Sequence, residues 1–398
     1  VTRLFLDIHA LQTVPPSNLN RDDTGAPKTA VYGGVPRARV SSQAWKRATR
    51  TCFADEHLLD PAELGVRTKK VAEALAERIR ASDPSIGEAD ALLLAAEVIQ
   101  TATGSVIEVP KRSKKTADAE ETDQAPRSKY LMFLSSRQLD GLAQVAIEGA
   151  ADIKSHLKDK NTKARAKHIA DTRHSVDIAL FGRMVADSSD INVDAAVQVA
   201  HALSVHRAET ESDYYTAVDD RNTDAEPGAG MIGTVDFNSA TLYRYAALGV
   251  HQLAENLGQG LREDEPRTAP VRRAVEAFLH GFIASLPTGK INTFGHHTLP
   301  DAVIVKLRTT RPVSFVAAFE EPVRGDQGGH VREAAERLAG YVPDIERAYA
   351  GQEATPAWVL RVGPNTHKLA ALGTESENLS ELVAAVGQAV AERLEKPA

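Results

Sequence analysis

From Thr24 through Ala54 the chain carries six basic side chains, Lys28, Arg37, Arg39, Lys46, Arg47 and Arg50, and no Asp or Glu. The whole protein has a net charge of −7, so this local excess does not reflect bulk composition. The same stretch dictates its own local structure. Tyr32-Gly33-Gly34 precedes Arg37-Ala38-Arg39-Val40, which alternates as a strand does. Ser41-Ser42 then reads as a helix N-cap, and Gln43, Lys46 and Arg50 follow on one helical face. Trp45, Ala48, Cys52 and Phe53 supply an apolar face. An amphipathic surface helix explains that face but not the missing acids, because surface helices normally mix signs. A helix N-terminus with Gln and basic side chains one and two turns on suits a phosphate. The stretch is therefore read as a site for a polyanion backbone on a protein that is not otherwise basic.

Patterning elsewhere predicts a mixed fold. Arg3 to Val14 alternates, with Leu4, Leu6 and Ile8 together, and reads as a strand that Pro15-Pro16 should end. Asn18 to Ala30 reads as loop, Val31 to Val40 as strand and Ser42 to about Asp55 as helix. Arg67 to Ala81 and Glu88 to Ala102 have apolar residues at helical spacing. Tyr130 to Leu134 is expected to be a short strand, Arg137 to Ala150 a helix and Val176 to Val185 a strand. Ala195 to Val205 alternates, with Val197, Val199, His201, Leu203 and Val205 on one face of a single strand. Phe237 to Tyr245 alternates again. A helix over Ala269 to Leu286, strands at Ala302 to Leu307 and Trp358 to Val362, and helices at Val331 to Leu338 and Leu379 to Leu394 complete the pattern.

Three stretches interrupt it. Lys111 to Lys129 has basic, acidic and basic clusters without a large apolar residue, as a mobile charged insertion has. Lys154 to Lys167 sets Lys154, Lys158, Lys160, Lys163, Arg165 and Lys167 against one acid, Asp159; from spacing alone this is a solvated helix face. Glu209 to Gly233 is polar and reads as a long loop or protruding hairpin. Its Tyr214-Tyr215-Thr216 places two aromatics where they either clip the loop or stack on bases. The order of strand, helices, two strands, helix and strand, with large inserts, fits an α+β fold. Its core would be a βαββαβ palm of ferredoxin or RNA-recognition type, and an open α/β fold is the competitor.

At 398 residues, with 42% apolar and 25% charged content, the chain has the make-up of a soluble globular protein. Its single cysteine, Cys52, excludes a disulfide framework and a Cys-rich zinc site. The start Val-Thr-Arg-Leu-Phe-Leu-Asp lacks the features of a secretory leader, and there is no run of 18 apolar residues. A cytoplasmic protein with no membrane partner is expected. No cofactor, metal site or catalytic residue is expected either. Asp22-Asp23 and Asp219-Asp220 lack a converging third ligand and read as loop caps or ion-pair partners. His296-His297 lacks an ordered partner for acid–base work. Gly289-Lys290 lacks the rest of a P-loop.

Several strings, taken in order, resemble one family. They are Leu19-Asn20-Arg21-Asp22-Asp23, Val31-Tyr32-Gly33-Gly34, Arg37 through Arg50, Val176 through Met184, and Ala200-His201-Ala202-Leu203. Tyr214 through Asp220, Phe237-Asn238-Ser239, Tyr243-Arg244-Tyr245 and Glu255-Asn256-Leu257 continue the series. The chain resembles the CasC backbone subunits (Cas-seven type) of the type I-E CRISPR surveillance complex, Cascade. The resemblance runs from about residue 4 to residue 307, and the tail after about 310 adds little.

The resemblance implies a hand-like subunit. Residues 1–60 and 170–398 would form the RNA-recognition-type palm, with a thumb at about 206–236. Residues 61–169 would form a helical fingers insertion containing the charged loop at 111–129. Copies would polymerise as a helical filament along one CRISPR RNA, kink it at intervals and present it to target DNA for antiviral defence. The other implied partners are the remaining Cascade subunits: the large subunit, small subunits and guide-end caps. Ser41, Gln43, Lys46 and Arg50 would hold RNA phosphates, in line with the face read above, and Arg39, Arg47 and Lys290 join them as RNA-binding residues. Arg21 matches an arginine near the same backbone, Met184 a side chain packed on bases, and Tyr214, Tyr215 and Thr216 the thumb residues at each kink. Lys154, Lys158, Lys160 and Lys163 match a finger helix facing DNA. The subunit would not cleave nucleic acid. Type III relatives do so with an Asp in a palm loop, where Asp22 and Asp23 stand here. A CRISPR-type endoribonuclease is therefore the rival reading, and a small-molecule phosphate enzyme the third.

Overall fold

The computed structural model describes residues 3–108, 125–185, 191–217, 231–258, 265–326, 329–349 and 355–395. Strand β1 (Phe5–Ser17) is followed by β2 (Thr29–Tyr32), β3 (Val35–Val40) and helix α1 (Ser42–Asp55). Next come β4 (Gly65–Thr68), α2 (Val71–Ser82), α3 (Glu88–Thr103), β5 (Ile107–Glu108), β6 (Arg127–Ser128) and β7 (Met132–Ser135). Four helices follow: α4 (Ser136–Glu148), α5 (Ile153–Lys158), α6 (Lys160–Ala170) and α7 (Val176–Phe181). Strands β8 (Val197–Val199), β9 (Ala202–Ser204), β10 (Glu211–Ala217) and β11 (Met231–Gly249) lead to α8 (Val250–Leu257), α9 (Thr268–Ala284) and α10 (Ile291–Phe294). The last elements are β12 (Ala302–Arg308), α11 (His330–Tyr349), β13 (Ala357–Arg361), β14 (Thr374–Glu375) and α12 (Leu379–Glu395). The chain divides into two compact units, one of residues 1–58, 197–251 and 275–398, the other of 59–196 and 252–274.

The first unit is built on a sheet of order β14-β13-β12-β1-β11-β9-β3-β2, with β8 and β10 also on β11. Within it β1, β9, β11 and β12 stand in the order β12-β1-β11-β9, all antiparallel. Helix α1 lies between β1 and β9 in sequence, and α9 between β11 and β12. That is the expected βαββαβ topology, and the antiparallel pairing excludes the open α/β alternative. Period-two alternation sends the two sides of β1 to different layers. On one side, Val14, Val40, Ala240 and Leu242 pack against Trp45 of α1. Gly281 of α9 comes so close to α1 that a Cβ there would stand 3.0 Å from the Phe53 ring. On the other side Leu11, Tyr243 and Ile304 are buried with Phe315, Phe319, Leu338 of α11 and Val359.

This second layer has a functional consequence. The exposed sheet face of an RNA-recognition fold ordinarily offers aromatics for base stacking. Here His9 stacks on Phe315 with ring centroids 4.1 Å apart, and its Nδ1 pairs with the Tyr243 hydroxyl at 2.8 Å. The chain's own C-terminal part occupies this platform, so that face of the sheet is closed to base stacking.

Several expectations need correction. Pro15-Pro16 does not end β1; the ladder to β11 runs from Phe5 opposite Gly249 to Ser17 opposite Asn238, with an irregularity between Val14 and Ser17. Prolines lack the ladder N–H and are accommodated at such bulges. Val31 to Val40 is not one strand but the hairpin β2–β3, turning at Gly33 (φ 60°) and Gly34 (φ 77°), as a primed two-residue turn requires. Val176 to Val185 forms helix α7 and a turn at Gly182, not a strand. Val176 through Leu180 are all buried, and a short apolar run buried all round carries no period that separates helix from strand. Ala195 to Val205 is two strands, β8 and β9, and the inward face shifts between them: Ala202 and Ser204 are buried while His201 is exposed.

In the second unit, Leu75 and Ile79 of α2, Val98 and Ile99 of α3, Leu142 and Val145 of α4 and Ala166 of α6 share one core. β4 pairs antiparallel with β7, and β5 with β6. Most of the charged insertion, 109–124, lies outside the described residues, as do Asp219-Asp220. No helix among the described residues is long and apolar enough to cross a membrane.

Candidate nucleic-acid interface

Helix α1 begins where its sequence says it should. Ser41 is extended (φ −67°, ψ 149°) and its hydroxyl accepts from the Ala44 amide at 3.3 Å. The Ser41 amide is itself held by Asn20 Oδ1 at 2.9 Å. Trp45, Thr49, Cys52 and Phe53 are buried, which leaves Gln43 and Arg47 exposed and Lys46 and Arg50 half-buried. No acid stands in the first turn, so the positive end of the helix dipole adds to these side chains. Burial pulls the Lys46 ammonium below its ordinary value, and it has no carboxylate partner among the described residues.

The basic side chains of this stretch do not all serve one purpose. Arg37 is fully buried. Its guanidinium donates to the carbonyls of Tyr32 (3.1 Å), Ser204 (3.0 Å), Phe319 (2.9 Å) and Glu320 (3.1 Å). It is a staple across the sheet edge and is not available to RNA. Arg39 is half-buried and donates from Nε to the Thr29 carbonyl at 3.0 Å. Beside it lies a residue to which sequence patterning assigns no binding role. His201 Nδ1 stands 3.4 Å from both Arg39 Nη1 and the Ser42 amide. Burial, with Arg39 and Lys28 nearby, holds its imidazole below the ordinary value. The Ala200-His201 string could have flagged it, but alternation assigns it inward.

Arg21 is exposed in the loop before β2. The adjacent Asp22 carboxylate accepts from Thr24 Oγ1 (2.7 Å), Thr24 N (2.9 Å) and Ala26 N (3.1 Å), and these bonds hold it below the usual carboxylate range. Asp22 is thus engaged in shaping its own loop. Gly289 lines the same groove as Arg21 and sets Lys290, half-buried with φ 49°, next in sequence. His296 is buried, with Nε2 3.2 Å from the Pro287 carbonyl.

The remaining predicted residues stand on other elements. β11 continues past its pairing with β1, and its distal part pairs only with β10, Tyr214 opposite Thr234, Tyr215 opposite Gly233 and Thr216 opposite Ile232. Tyr214 is 60% and Tyr215 42% exposed. In the second unit Met184 is 83% exposed. Its neighbour Arg183 turns inward, donating to the Ile191 carbonyl at 2.7 Å. Lys154 pairs with Glu97 at 3.6 Å and Arg165 with Glu148 at 2.7 Å. Lys158, Lys160 and Lys163 are exposed and form no ion pair among the described residues. Asp159 caps α6, accepting from Thr162 N at 2.9 Å and Asn161 N at 3.0 Å.

Fold and site together define a ferredoxin-like α+β protein with a cationic helix packed on one face of its sheet and a long hairpin extending from that sheet. The chain belongs to the CT1975-like protein family, which it matches over residues 6–385. It is similar to a chain of a structure described as "CRISPR RNA-guided surveillance complex, pre-nicking", at 35% identity and a TM-score of 0.81 over 97% of this chain and 100% of that one. A chain of a second structure, "CRISPR RNA-guided surveillance complex", is 31% identical with a TM-score of 0.70, over 97% of this chain and 99% of that one. Nothing matches among curated proteins.

Proposed function

We propose that this chain is a non-catalytic CRISPR RNA-binding backbone subunit of a type I-E surveillance complex. The observation that carries the reading is the face of α1. Gln43, Lys46 and Arg47 stand over a capped, acid-free helix N-terminus, in a chain similar over 97% of its length to a chain of an RNA-guided surveillance complex. Side chains of this kind bind the backbone without reading sequence, which suits a protein that must accept any guide. Successive copies polymerise along the RNA as a filament. The β10–β11 hairpin acts as the thumb that kinks the guide, and the guide then pairs with target DNA, so that specificity rests with base pairing. The second unit supplies the fingers, whose lysines face that DNA.

The ribonuclease reading finds less support. Asp22 is engaged in its loop, and His296 is buried against a carbonyl. Co-expression with the neighbouring genes, purification and sequencing of bound nucleic acid tests the proposal. One defined small RNA species is expected, and protein that purifies free of nucleic acid would overturn it. Turnover of labelled RNA that vanishes in Asp22→Asn or His296→Gln would favour the nuclease instead.

A further inference from the structure

Helix α1 has a second stripe beside its cationic one. Ala44, Ala48, Thr51 and Asp55 recur at i, i+4, i+7 and i+11, and Arg47 stands on the border between the stripes. With the segment Ser285–Gly289 this stripe encloses a groove of about 360 Å³, the size of a small-molecule cleft. We propose that this groove is a nucleobase site, taking one base of the bound strand per subunit while that nucleotide's phosphate stays at the Arg47 end. The inference rests on the RNA-binding reading above.

The chemistry of the lining carries it. Ala44, Ala48, Leu286 and Pro287 make aliphatic walls, which suit the face of a planar ring and offer a phosphate nothing. One end is Arg47, exposed and without a carboxylate partner among the described residues. The other end holds Asp55 and Glu56, which repel a phosphate but accept N–H groups from a base edge. Ser285 Oγ, also in the lining, is shielded from solvent and has no hydrogen-bond partner, and such a group needs one. A nucleotide satisfies all three features at once in a single orientation, phosphate toward Arg47 and base toward the acids.

The wall is held by one close approach. A Cβ at Gly289 would collide with the Leu19 carbonyl and stand 2.6 Å from that of Asn18. Only glycine lets the 285–289 segment close on the loop that carries Arg21. Leu19 and Gly289 line both this groove and the one beside Arg21, so a strand lying along Arg21 passes the groove's mouth.

Two variants fill the groove, Ala48→Trp and, at an exposed position that keeps the test open if the first fails to fold, Thr51→Tyr. The full chain is titrated with a single-stranded RNA and with a strand of equal length in which the bases are replaced by abasic sites. Each variant should lose about fivefold or more in affinity for RNA, from displaced base stacking, and bind the abasic strand as wild type does. Equal losses on both strands would make the groove a backbone contact, and unchanged binding of both would remove it from the RNA path; either overturns the proposal. Normal RNA binding with loss of self-association would instead make the groove the seat of a neighbouring copy. Wild-type protein that binds neither strand would refute the RNA-binding reading itself.

Discussion

The ring of Tyr215 packs over Gly233 across the β10–β11 ladder, so closely that a Cβ at 233 would stand 2.5 Å from the phenol oxygen and 2.6 Å from Cζ. An aromatic ring covering a cross-strand glycine shields backbone that would otherwise be bare. Tyr214 points to the opposite face, beside Thr234 and diagonal to the exposed Ile232. Tyr215 therefore supports the hairpin as well as being part-exposed, and Tyr214 carries the base contact proposed above more independently of it. Tyr214→Ala should leave the melting temperature unchanged and weaken RNA stacking by about 1–3 kcal/mol, with loss of the periodic pattern in base-reactive probing of the guide. Gly233→Val should displace the Tyr215 ring and disturb the hairpin itself. A Tyr214→Ala protein with unaltered probing would make that ring a loop clip.

Arg37 and Lys46 belong to one basic stretch and should fail in opposite ways. Arg37→Ala strips four buried or half-buried carbonyls of their donor, and lost partners of this kind cost about 1–3 kcal/mol each when left unsatisfied. We expect a stability loss of at least ~3 kcal/mol by denaturant titration, with RNA affinity following the folded fraction. Lys46→Glu removes no core packing and adds repulsion from a phosphate. Its melting curve should match wild type while RNA affinity falls, and the log–log salt slope should shrink by about 0.7 for each phosphate no longer neutralised. Normal RNA loading by Lys46→Glu would move the interface off this face of α1.

Stability should fall in mild acid. His206 Nε2 accepts from the Thr241 amide at 3.1 Å, its Nδ1 pairs with the Arg207 carbonyl at 2.6 Å, and its ring stacks on His330 at 3.7 Å. Burial pushes it down to about 4, and His330 and Arg37 add to the effect. His174 is likewise pushed down to about 4 by burial and Arg183. The unfolded chain, with ordinary imidazoles near 6.5, therefore binds more protons than the folded one between about pH 6.5 and 4. Stability is full above that window and declines as pH falls through it, by ~1 kcal/mol per pH unit for each group. Denaturant midpoints at pH 7 and 5 should differ less for His206→Gln than for wild type. An identical pH dependence in the variant would assign the effect to other groups.

The parts of the site legible in the sequence are those fixed by neighbours along the chain. The Ser41 cap, the span of α1 and its division into buried Trp45 and Phe53 against Lys46 and Arg50 follow from capping chemistry and helical period alone. Arg37 is not legible in this way. It alternates like its neighbours and is basic like them, and only carbonyls from Ser204, Phe319 and Glu320 reveal it as a core residue. The covering of the sheet by Phe315, Phe319 and α11 is equally hidden, because a sheet face destined for another layer of protein and one destined for stacked bases both present rings such as His9, Tyr243 and Tyr245. His201 is misplaced by alternation because the pattern runs unbroken through Ala200, where the inward face changes.

The finger lysines offer the last test. Lys154 and Arg165 are partnered by Glu97 and Glu148, so the charge that α5 and α6 offer a ligand comes from Lys158, Lys160 and Lys163, with Lys167 one turn further along α6. Lys160 and Lys163 sit in the first turn of α6, where cations oppose the helix dipole; changing all three to Ala should leave stability equal or slightly raised. A loss of function in that variant cannot then be blamed on unfolding. If these side chains face target DNA, the triple variant should load CRISPR RNA normally and bind duplex target more weakly, with a salt slope smaller by about 0.9 for each phosphate released. Lys154→Ala, which gives up a lysine already paired with Glu97, should change little and serves as the control. A matching loss of RNA loading would put the helix on the guide side, and no change in either would return it to a solvated face.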